Sequence, residues 1–323
     1  MHHQKVLNRR YFIGACASVA VFPALAQSFP SRPIRMVVPY PAGGSTDQLA
    51  RAIQLPLQEL LGQTLVIENK PGAGGTIGTD LVAKATPDGY TLVFGNTGPN
   101  AVVSLMRKVP YDPIVDFRPI STVALTPMIL AVPSNSPVTT LKEFLAYARQ
   151  QGGAMNYGSV GNGSLSHLTG EYFNELSGLK MVHVPYAGGA PMLTAFASGQ
   201  LNAAFVTGLD GASMLASGKV RYLAVATPAR TEVVPGLAPI AEEVPGFAST
   251  AWFGVLAPKG VPADVHARLH AAVTAAVARP EIRKLFSERN IEARSSTPQQ
   301  MEALIASEQK HWGQVIRKGG ITS

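Results

Sequence analysis

Cysteine is nearly absent from this sequence, and its position limits what it could do. Cys16 is the single cysteine among 323 residues. It lies in an uncharged apolar run from Ala15 to Leu25, close to the N-terminus. If that run is removed from the mature protein, disulfide bonds, thiolate catalysis and cysteine metal sites are excluded together.

Long hydrophobic runs and clusters of basic residues are absent from the sequence too. A helix that spans a membrane needs about 20 apolar residues, and neither the N-terminal run nor any later stretch reaches that length. Lys and Arg number 27 against 20 Asp and Glu, which gives a formal net charge of +7 spread along the chain. This mild excess suits a small anionic ligand at least as well as nucleic acid, and we expect no nucleic-acid partner.

The N-terminus has the pattern of a secretory signal peptide. Arg9 and Arg10 precede two aromatic residues and the apolar run, and Ala24-Leu25-Ala26 supplies a small-x-small cleavage site. Paired arginines before an aromatic residue are typical of a twin-arginine signal, although an ordinary Sec signal can also contain them. We therefore predict that residues 1–26 are a signal peptide, cleaved after Ala26, and that the mature protein lies in the periplasm.

Strand-like apolar runs alternate with helical patterns along the rest of the chain, which indicates an α/β fold. The run 34–40 predicts a first strand, and the spacing of leucines predicts a helix from Ser45 to Leu61. Pro56 should kink that helix because proline removes one backbone hydrogen bond. Near the C-terminus, Thr297-Pro298-Gln299-Gln300 has the pattern of a capping box that begins a helix.

The length of the chain favours two domains, because chains near 300 residues generally divide into two hydrophobic cores. We assign residues 27–129 together with 250–323 to domain 1, and residues 130–249 to domain 2.

Several glycine-rich loops occur where a predicted strand ends and a helix begins. A helix N-terminus carries unpaired backbone N–H groups and the positive end of the helix dipole, so it attracts anions. Glycine lets ligand oxygens approach those groups, although one such loop alone is more often only a turn or a cap. The loops are Pro41-Ala42-Gly43-Gly44-Ser45, Gly72-Ala73-Gly74-Gly75-Thr76, Gly158-Ser159-Val160-Gly161-Asn162-Gly163-Ser164 and Tyr186-Ala187-Gly188-Gly189-Ala190.

These loops belong to a set of motifs that runs in order over nearly the whole mature chain. The motifs are Pro39-Tyr40-Pro41-Ala42-Gly43-Gly44-Ser45-Thr46-Asp47, Glu68-Asn69-Lys70-Pro71-Gly72-Ala73-Gly74-Gly75, Pro87-Asp88-Gly89-Tyr90-Thr91-Leu92, Tyr157-Gly158-Ser159 through Ser164 to His167-Leu168, Val184-Pro185-Tyr186, Gly218-Lys219-Val220-Arg221 and Trp252-Phe253-Gly254. With them the chain resembles the substrate-binding receptors of tripartite tricarboxylate transporters, the TctC or Bug family.

This resemblance implies a type II periplasmic-binding-protein-like fold, in which two α/β domains surround a ligand cleft and two crossing segments join them. We expect the crossings near Ile129 to Pro133 and near Ser249 to Ala257. The resemblance also implies a monomeric solute-binding protein that is not an enzyme and needs no cofactor or metal. Its partners would be a small carboxylate and the membrane subunits of a tripartite tricarboxylate-type transporter.

The candidate ligand-binding residues come from the glycine-rich loops and from two regions that depart from the family pattern. The resemblance implies that two loops bind one carboxylate of the ligand. In this chain they would be Tyr40 to Asp47 and Ser159 to His167. The departures near Asn96 and Asp210 are expected to face the variable end of the ligand. The full set is Tyr40, Ala42, Gly43, Gly44, Ser45, Asp47, Asn96, Thr97, Ser159, Gly161, Asn162, Ser164, His167, Tyr186, Gly188, Gly189, Ala190 and Asp210.

An α/β enzyme that acts on a small carboxylate is the alternative function. Glu68 ends the second predicted strand, where a dehydrogenase would bind ribose, but the first loop lacks the three-glycine spacing of that fold. Ser159 or Ser164 with His167 and Asp210 could form a hydrolase triad, but no Gly-x-Ser-x-Gly elbow surrounds either serine. The motifs therefore favour a binding protein over both enzymes.

His266 and His270 are four residues apart on a predicted helix, which is a spacing that metal ligands use. The sequence between them lacks a general-base glutamate, and no third ligand is evident. We therefore expect two solvent-facing histidines and no metal site.

The signal peptide generates the first prediction. Replacing both Arg9 and Arg10 with lysine should retain precursor in the cytoplasm if export uses the twin-arginine route. Fractionation followed by immunoblotting would show the larger precursor in the cytoplasm. Mature protein appearing in the periplasm at the normal rate would contradict the twin-arginine route and assign export to Sec.

Overall fold

Alternating strands and helices build two β-sheets in this computed structural model, which describes residue 2 and residues 29–321. The strands are β1 (Ile34–Val38), β2 (Leu65–Asn69), β3 (Thr91–Asn96), β4 (Phe117–Pro127), β5 (Ile129–Pro133), β6 (Asn156–Ser159), β7 (Val182–Pro185), β8 (Ala203–Val206), β9 (Val220–Val225), β10 (Thr250–Pro258) and β11 (Glu292–Ala293). The helices are α1 (Ser45–Ala52), α2 (Gln54–Leu61), α3 (Thr76–Ala83), α4 (Val103–Met106), α5 (Leu141–Gln150), α6 (Leu165–Ser177), α7 (Gly189–Ala197), α8 (Gly208–Ala216), α9 (Ala263–Ala278), α10 (Pro280–Ser287) and α11 (Pro298–Gly319). Short 3-10 turns at Ala73–Gly75 and Ile240–Glu242 and a π-helical turn at Gly98–Val102 complete the described elements.

Each sheet combines a parallel part with antiparallel strands. The first sheet has the strand order β11-β4-β10-β3-β1-β2, and β1 is parallel to both β2 and β3. The second sheet has the order β7-β6-β8-β5-β9, and β6 is parallel to both β7 and β8. Helices follow β1, β6, β7 and β8, so the glycine-rich loops lie at the carboxyl ends of parallel strands. These two α/β units agree with the fold class expected from the sequence.

The chain passes between the two sheets at two points that bond to each other. Met128 separates β4 of the first sheet from β5 of the second, and residues 226–249 connect β9 back to β10. The N–H of Met128 donates to the carbonyl of Ser249, and its carbonyl accepts from the N–H of Ala226. The segments expected to be crossings, near 129–133 and 249–257, are largely the strands β5 and β10 themselves. The domain limits at 129/130 and 249/250 stay a prediction.

The helix predicted from Ser45 to Leu61 is two helices. Helix α1 ends at Ala52, Ile53 separates the two, and α2 continues from Gln54 to Leu61. The break lies one turn before Pro56, because the proline ring cannot donate to the carbonyl four residues earlier and crowds it. Gly62 ends α2 in a left-handed conformation with φ of 71°.

The long central strands of the first sheet and helix α8 were not predicted from the sequence. Strand β10 lies between β3 and β4 with its residues from Ala251 to Pro258 buried, so it lacks the polar–apolar alternation of a half-exposed strand. Strand β4 is similarly buried, although Pro119, Ser121 and Thr122 interrupt its apolar pattern. The expectation that His266 and His270 face solvent is wrong. Helix α9 packs on β4, and these histidines bond to the carbonyls of Pro119 and Ile120 at 2.8 and 2.9 Å.

The described residues provide neither a membrane-crossing helix nor a cluster for metal. None of the helices in the described ranges has the length and apolarity to cross a bilayer. No group of three or more His, Cys, Asp and Glu side chains among those residues is placed to hold a metal ion. Apart from residue 2, the predicted signal peptide lies outside the described residues.

The capping box at the start of α11 generates the second prediction. The Thr297 hydroxyl accepts from the N–H of Gln300, and the Gln300 side chain accepts from the N–H of Thr297. Thr297→Ala should lower the free energy of unfolding by about 1 kcal/mol, because one N–H of the first turn loses its partner. Urea denaturation would measure the change against Gln299→Ala, an exposed neighbour in the same turn. Equal stability of the two variants would contradict a contribution from the cap.

Candidate functional site

Four helix N-termini from both sheets converge on one cavity. Helix α1 follows β1 of the first sheet, while α6, α7 and α8 follow β6, β7 and β8 of the second. In open α/β sheets, ligands bind beyond the carboxyl ends of the strands, and these ends face each other here. The first turns contribute Ser45, Leu165, Gly189 and Asp210 to the cavity wall. Unpaired N–H groups and helix dipoles of this kind favour negative charge.

The cavity between the sheets has a volume of about 60 Å³, which suits a small ligand. Its wall combines hydroxyl and amide groups with apolar side chains. The residues that line it are Tyr40, Gly44, Ser45, Thr46, Asn96, Thr97, Met128, Val160, Ser164, Leu165, Ser166, Gly189, Phe205, Thr207, Asp210, Ala251 and Phe253. Polar groups that orient a ligand, within a largely apolar surface, are typical of small-molecule sites.

The candidate residues from the sequence divide into those that line the cavity and those that lie behind it. The lining ones are Tyr40, Gly44, Ser45, Asn96, Thr97, Ser164, Gly189 and Asp210. The others are Ala42, Gly43, Asp47, Ser159, Gly161, Asn162, His167, Tyr186, Gly188 and Ala190, which belong to the same loops without lining the cavity. A direct ligand contact through either group stays a prediction.

Asp47 holds the first loop in shape. Its side chain is buried and accepts from the N–H of Gly43 at 3.0 Å and from the amide of Asn69 at 2.9 Å. Arg51, one turn later in α1, forms an ion pair with it at 2.9 Å. Burial alone would raise the pKa of Asp47, but these hydrogen bonds and the positive charge of Arg51 lower it below its ordinary value. A charged Asp47 therefore fixes the backbone from which Gly44 and Ser45 reach the cavity.

Tyr40, Asn96 and Thr97 connect the first loop to the rest of the wall. The Tyr40 hydroxyl donates to the carbonyl of Gly74 at 3.2 Å, and burial raises the pKa of Tyr40, so the phenol is neutral. The Asn96 amide donates to the Thr46 hydroxyl at 3.1 Å. The Thr97 hydroxyl accepts from the N–H of Trp252 at 3.2 Å. Trp252 itself lies in the core, and its neighbours Ala251 and Phe253 line the cavity.

Ser164 begins α6 and keeps the second loop closed on itself. Its hydroxyl accepts from the N–H of His167 and donates to the carbonyl of Gly161 at 2.6 Å. The ring of His167 accepts from the N–H of Gly163 at 3.3 Å through Nδ1. The Ser166 hydroxyl accepts from the N–H of Val160. The side chains of this loop thus form hydrogen bonds with its own backbone.

Two stacked histidines support the second loop from behind. The rings of His167 and His183 lie 3.9 Å apart, and His183 Nε2 forms a hydrogen bond of 2.6 Å with the fully buried Ser159 hydroxyl. Burial lowers the pKa of His167 to about 4. Burial and the neighbouring His167 lower the pKa of His183 to about 3. Sequence reasoning missed His183, whose position in a short predicted strand gave no sign of this contact.

The carboxylate of Asp210 joins the two sheets at the cavity. Oδ1 accepts from the N–H of Ser45 at 3.0 Å, although the two residues are 165 positions apart in sequence. Oδ2 accepts from the Thr207 hydroxyl at 2.8 Å. Burial raises the pKa of Asp210 above its ordinary value, and the bonds from Thr207 and Ser45 lower it only in part. Thr207 was missed from the sequence, although its place directly after β8 could have indicated it.

Close backbone contacts between the loops of the two sheets require glycine. Gly188 has φ of 123°, and a Cβ there would lie 2.8 Å from Cδ of Pro41 in the first loop. Gly74 has φ of 63°, and a Cβ would collide with the carbonyl of Asn162. Gly43, by contrast, has open space around it and needs glycine only for its φ of 89°. Close approach of the loops therefore requires glycine at Gly188 and Gly74, whereas the close approach of a ligand to Gly43 stays a prediction.

The side chains suggested above for a hydrolase or a dehydrogenase site bond to other partners in the structure. Ser164 bonds to the carbonyl of Gly161, and His167 bonds to a backbone N–H, so neither serves the other as nucleophile and base. Asp210 bonds to Ser45 and Thr207. Glu68 forms ion pairs with Arg35 and Lys70 at the edge of the first sheet.

Residues 49–321 match the family model described as the tripartite tricarboxylate transporter family receptor. The chain belongs to this receptor family. It is 33% identical over 309 residues to the protein BugT of Bordetella pertussis, a match that covers 95% of this chain and 94% of BugT.

Solved structures of similar proteins resemble this chain in both sequence and fold. The R. palustris protein Rpa4515, solved with adipate, is 36% identical, with a TM-score of 0.88 over 91% of this chain and 99% of that one. MatC from Rhodopseudomonas palustris, solved with bound malate, is 33% identical, with a TM-score of 0.84 over 89% of this chain and all 100% of that one. The receptors of this family are periplasmic solute-binding proteins, and this chain has their two-unit α/β fold.

The two stacked histidines of this receptor generate the third prediction. Their folded pKa values of about 4 and about 3 lie below the ordinary value of 6.5. Between pH 6.5 and 4 the unfolded chain binds more protons, so these histidines make stability fall as the pH falls through this window. His183→Gln should make the melting temperature depend less steeply on pH there.

Differential scanning calorimetry from pH 7 to pH 4 would compare the two slopes. The other titrating groups are shared, so the difference in slope isolates His183 and its effect on His167. Parallel curves for the two proteins would contradict the prediction, even if the variant were less stable at every pH.

Proposed function

We propose that this receptor binds a small carboxylate in the cavity between its two sheets and delivers it to membrane subunits of a tripartite tricarboxylate-type transporter. The convergence of four helix N-termini on one buried cavity carries the proposal. The positive ends of these helices supply N–H donors that suit a carboxylate without any Lys or Arg side chain in the wall. The bound adipate and malate in two similar receptors support the same class of ligand.

The arrangement of the loops on two sheets suits a receptor that closes around its ligand and later opens to release it. One loop comes from the first sheet and three from the second, and Met128 and Ser249 lie at the crossings between them. Rotation about such crossings would open the cavity, and closure would complete the donors around the ligand. We place this event in the periplasm, after removal of residues 1–26, and with the receptor as a monomer without cofactor or metal.

The alternative function, an enzyme acting on a small carboxylate, is not favoured. The serine and histidine side chains of the second loop are engaged with its own backbone, and Asp210 is engaged with the first helix. The similarity to binding receptors extends over nearly the whole chain.

The fourth prediction is that carboxylic acids raise the melting temperature while the matching amides do not, which a thermal-shift experiment would measure. Mono- and dicarboxylic acids of three to six carbons would be compared with their amides, which lack the charge that helix N-termini favour. An acid at a hundredfold excess over its Kd should stabilise the fold by about 2.7 kcal/mol. For a chain of this size we expect a rise of roughly 5–10 °C in melting temperature. An acid that is chemically altered, or an amide that stabilises equally, would contradict the proposal.

A pair of glycine variants provides the control for this experiment. Gly188→Ala should reduce the shift given by the best acid, because the new Cβ meets Pro41 and keeps the loops apart. Gly199→Ala adds a methyl group at a similar left-handed residue, with φ of 75° and open space around it. It should therefore affect stability but not the ligand-induced shift. Equal shifts in both variants would mean that the ligand binds elsewhere.

A further inference from the structure

One acidic side chain lies in the cavity wall without a basic side chain to balance it. Among the described residues that line the cavity, Asp210 is the only Asp or Glu, and none is Lys, Arg or His. Tyr40 is the other titratable residue in that wall, and its raised pKa leaves it neutral. A cavity that attracts a carboxylate through its helix N-termini therefore also presents a carboxylate of its own.

The position of Asp210 is fixed from both sheets. Its oxygens accept from the N–H of Ser45 at 3.0 Å and from the Thr207 hydroxyl at 2.8 Å. Gly189 packs beside it, since a Cβ built on that glycine would lie 3.4 Å from Oδ1. Burial raises the pKa of Asp210, so its ionised form is favoured by a cationic partner. An ionised carboxylate has about four acceptor positions, and two remain after these bonds. The side chain is only 6% exposed, which leaves the cavity as the space that a partner for them would occupy.

Capping of α8 alone does not account for this arrangement. The Thr207 hydroxyl accepts from the N–H of Asp210, which is an ordinary bond at the start of a helix. A capping acid would serve α8 equally well while pointing to solvent. Asp210 instead bonds across the cavity to the first turn of α1, where a ligand carboxylate would also be attracted.

The charge in the wall limits which acids fit well. A ligand carboxylate placed at the N-termini of α1, α6 and α7 would lie in the same small cavity as the Asp210 carboxylate. Two like charges a few ångströms apart repel strongly where little water separates them. A protonated amino group beside the ligand carboxylate would remove this repulsion and occupy the remaining acceptor positions of Asp210.

We propose that Asp210 is a specificity-determining residue that accepts hydrogen bonds from an ammonium group, so that this receptor selects small zwitterionic amino acids over unsubstituted acids. This inference rests on the proposed function, because it assumes that the ligand carboxylate binds at the helix N-termini. The charges of the ligand and of the wall are then complementary, because an ammonium faces Asp210 and a carboxylate faces the N–H groups.

Calorimetric titration with matched acids tests this inference. The series L-aspartate, L-malate and succinate, and the series L-alanine, L-lactate and propanoate, change only the group beside one carboxylate. In the wild-type protein the amino acid of the better-binding series should bind at least about tenfold more tightly than the unsubstituted acid, as a charge-assisted hydrogen bond allows. In Asp210→Asn this preference should fall to about threefold or less, because the charge is lost and the shape is kept.

Two further variants keep the result interpretable. Asp210→Ser removes the carboxylate with a smaller side chain, and circular dichroism melting would confirm that each variant folds. Glu308→Gln is the matched control. Glu308 is another mostly buried acid whose pKa burial raises, and it bonds to the Trp312 indole, away from the cavity. The Glu308→Gln variant loses a carboxylate as Asp210→Asn does, and it should keep the wild-type preference for the amino acid.

The outcomes separate this inference from the proposed function. If succinate or propanoate binds the wild-type protein as tightly as its amino acid, the role of Asp210 is overturned while carboxylate binding stands. If the hydroxy acid binds most tightly, the selection of an ammonium group is overturned as well. If none of the six acids binds any folded variant, the inference is overturned for these ligands. Failure of every acid in the thermal-shift experiment would then overturn the proposed function separately.

Discussion

The N-termini of four helices lie at one small cavity between two sheets, and the rest of the structure holds them there. An α-helix leaves its first four N–H groups without partners inside the helix, and burial makes an unmet donor costly. Helix N-termini from two sheets therefore favour a bound anion more strongly than a single loop would. The mixed sheets, the loop glycines and the crossing strands all contribute to bringing these helix ends within reach of one ligand.

The side chains behind the loops hold the site in shape through hydrogen bonds to the loop backbone. Asp47 bonds to the backbone of its own loop and balances Arg51, while His167 and Ser164 satisfy the second loop. Buried polar groups without partners are rare in proteins, so a set of directed donors indicates a place for a ligand. Asp210 adds a carboxyl group to the same wall and links the two sheets through the N–H of Ser45.

Local sequence signals predicted the elements and the loops well. The helix that carries His266 and His270 and the capping box at Thr297 were predicted from residue spacing and cap residues, because neighbours in sequence decide these features. The break at Ile53 was expected nearer Pro56, and the buried strands β4 and β10 were missed because a strand enclosed on both faces has no alternating pattern.

The sequence by itself determined that helices begin at Ser45, after Ser164 and near Gly189, and that glycine precedes or opens several of them. Those features depend on backbone freedom and on side chains within one turn. Only the tertiary structure decided that these starts face one cavity, that Asp47 and Ser159 lie behind it, and that Asp210 lies within it. Contacts such as Ser45 with Asp210 join residues 165 positions apart. They follow from strand order and from the crossings between sheets, which no local pattern in the chain specifies.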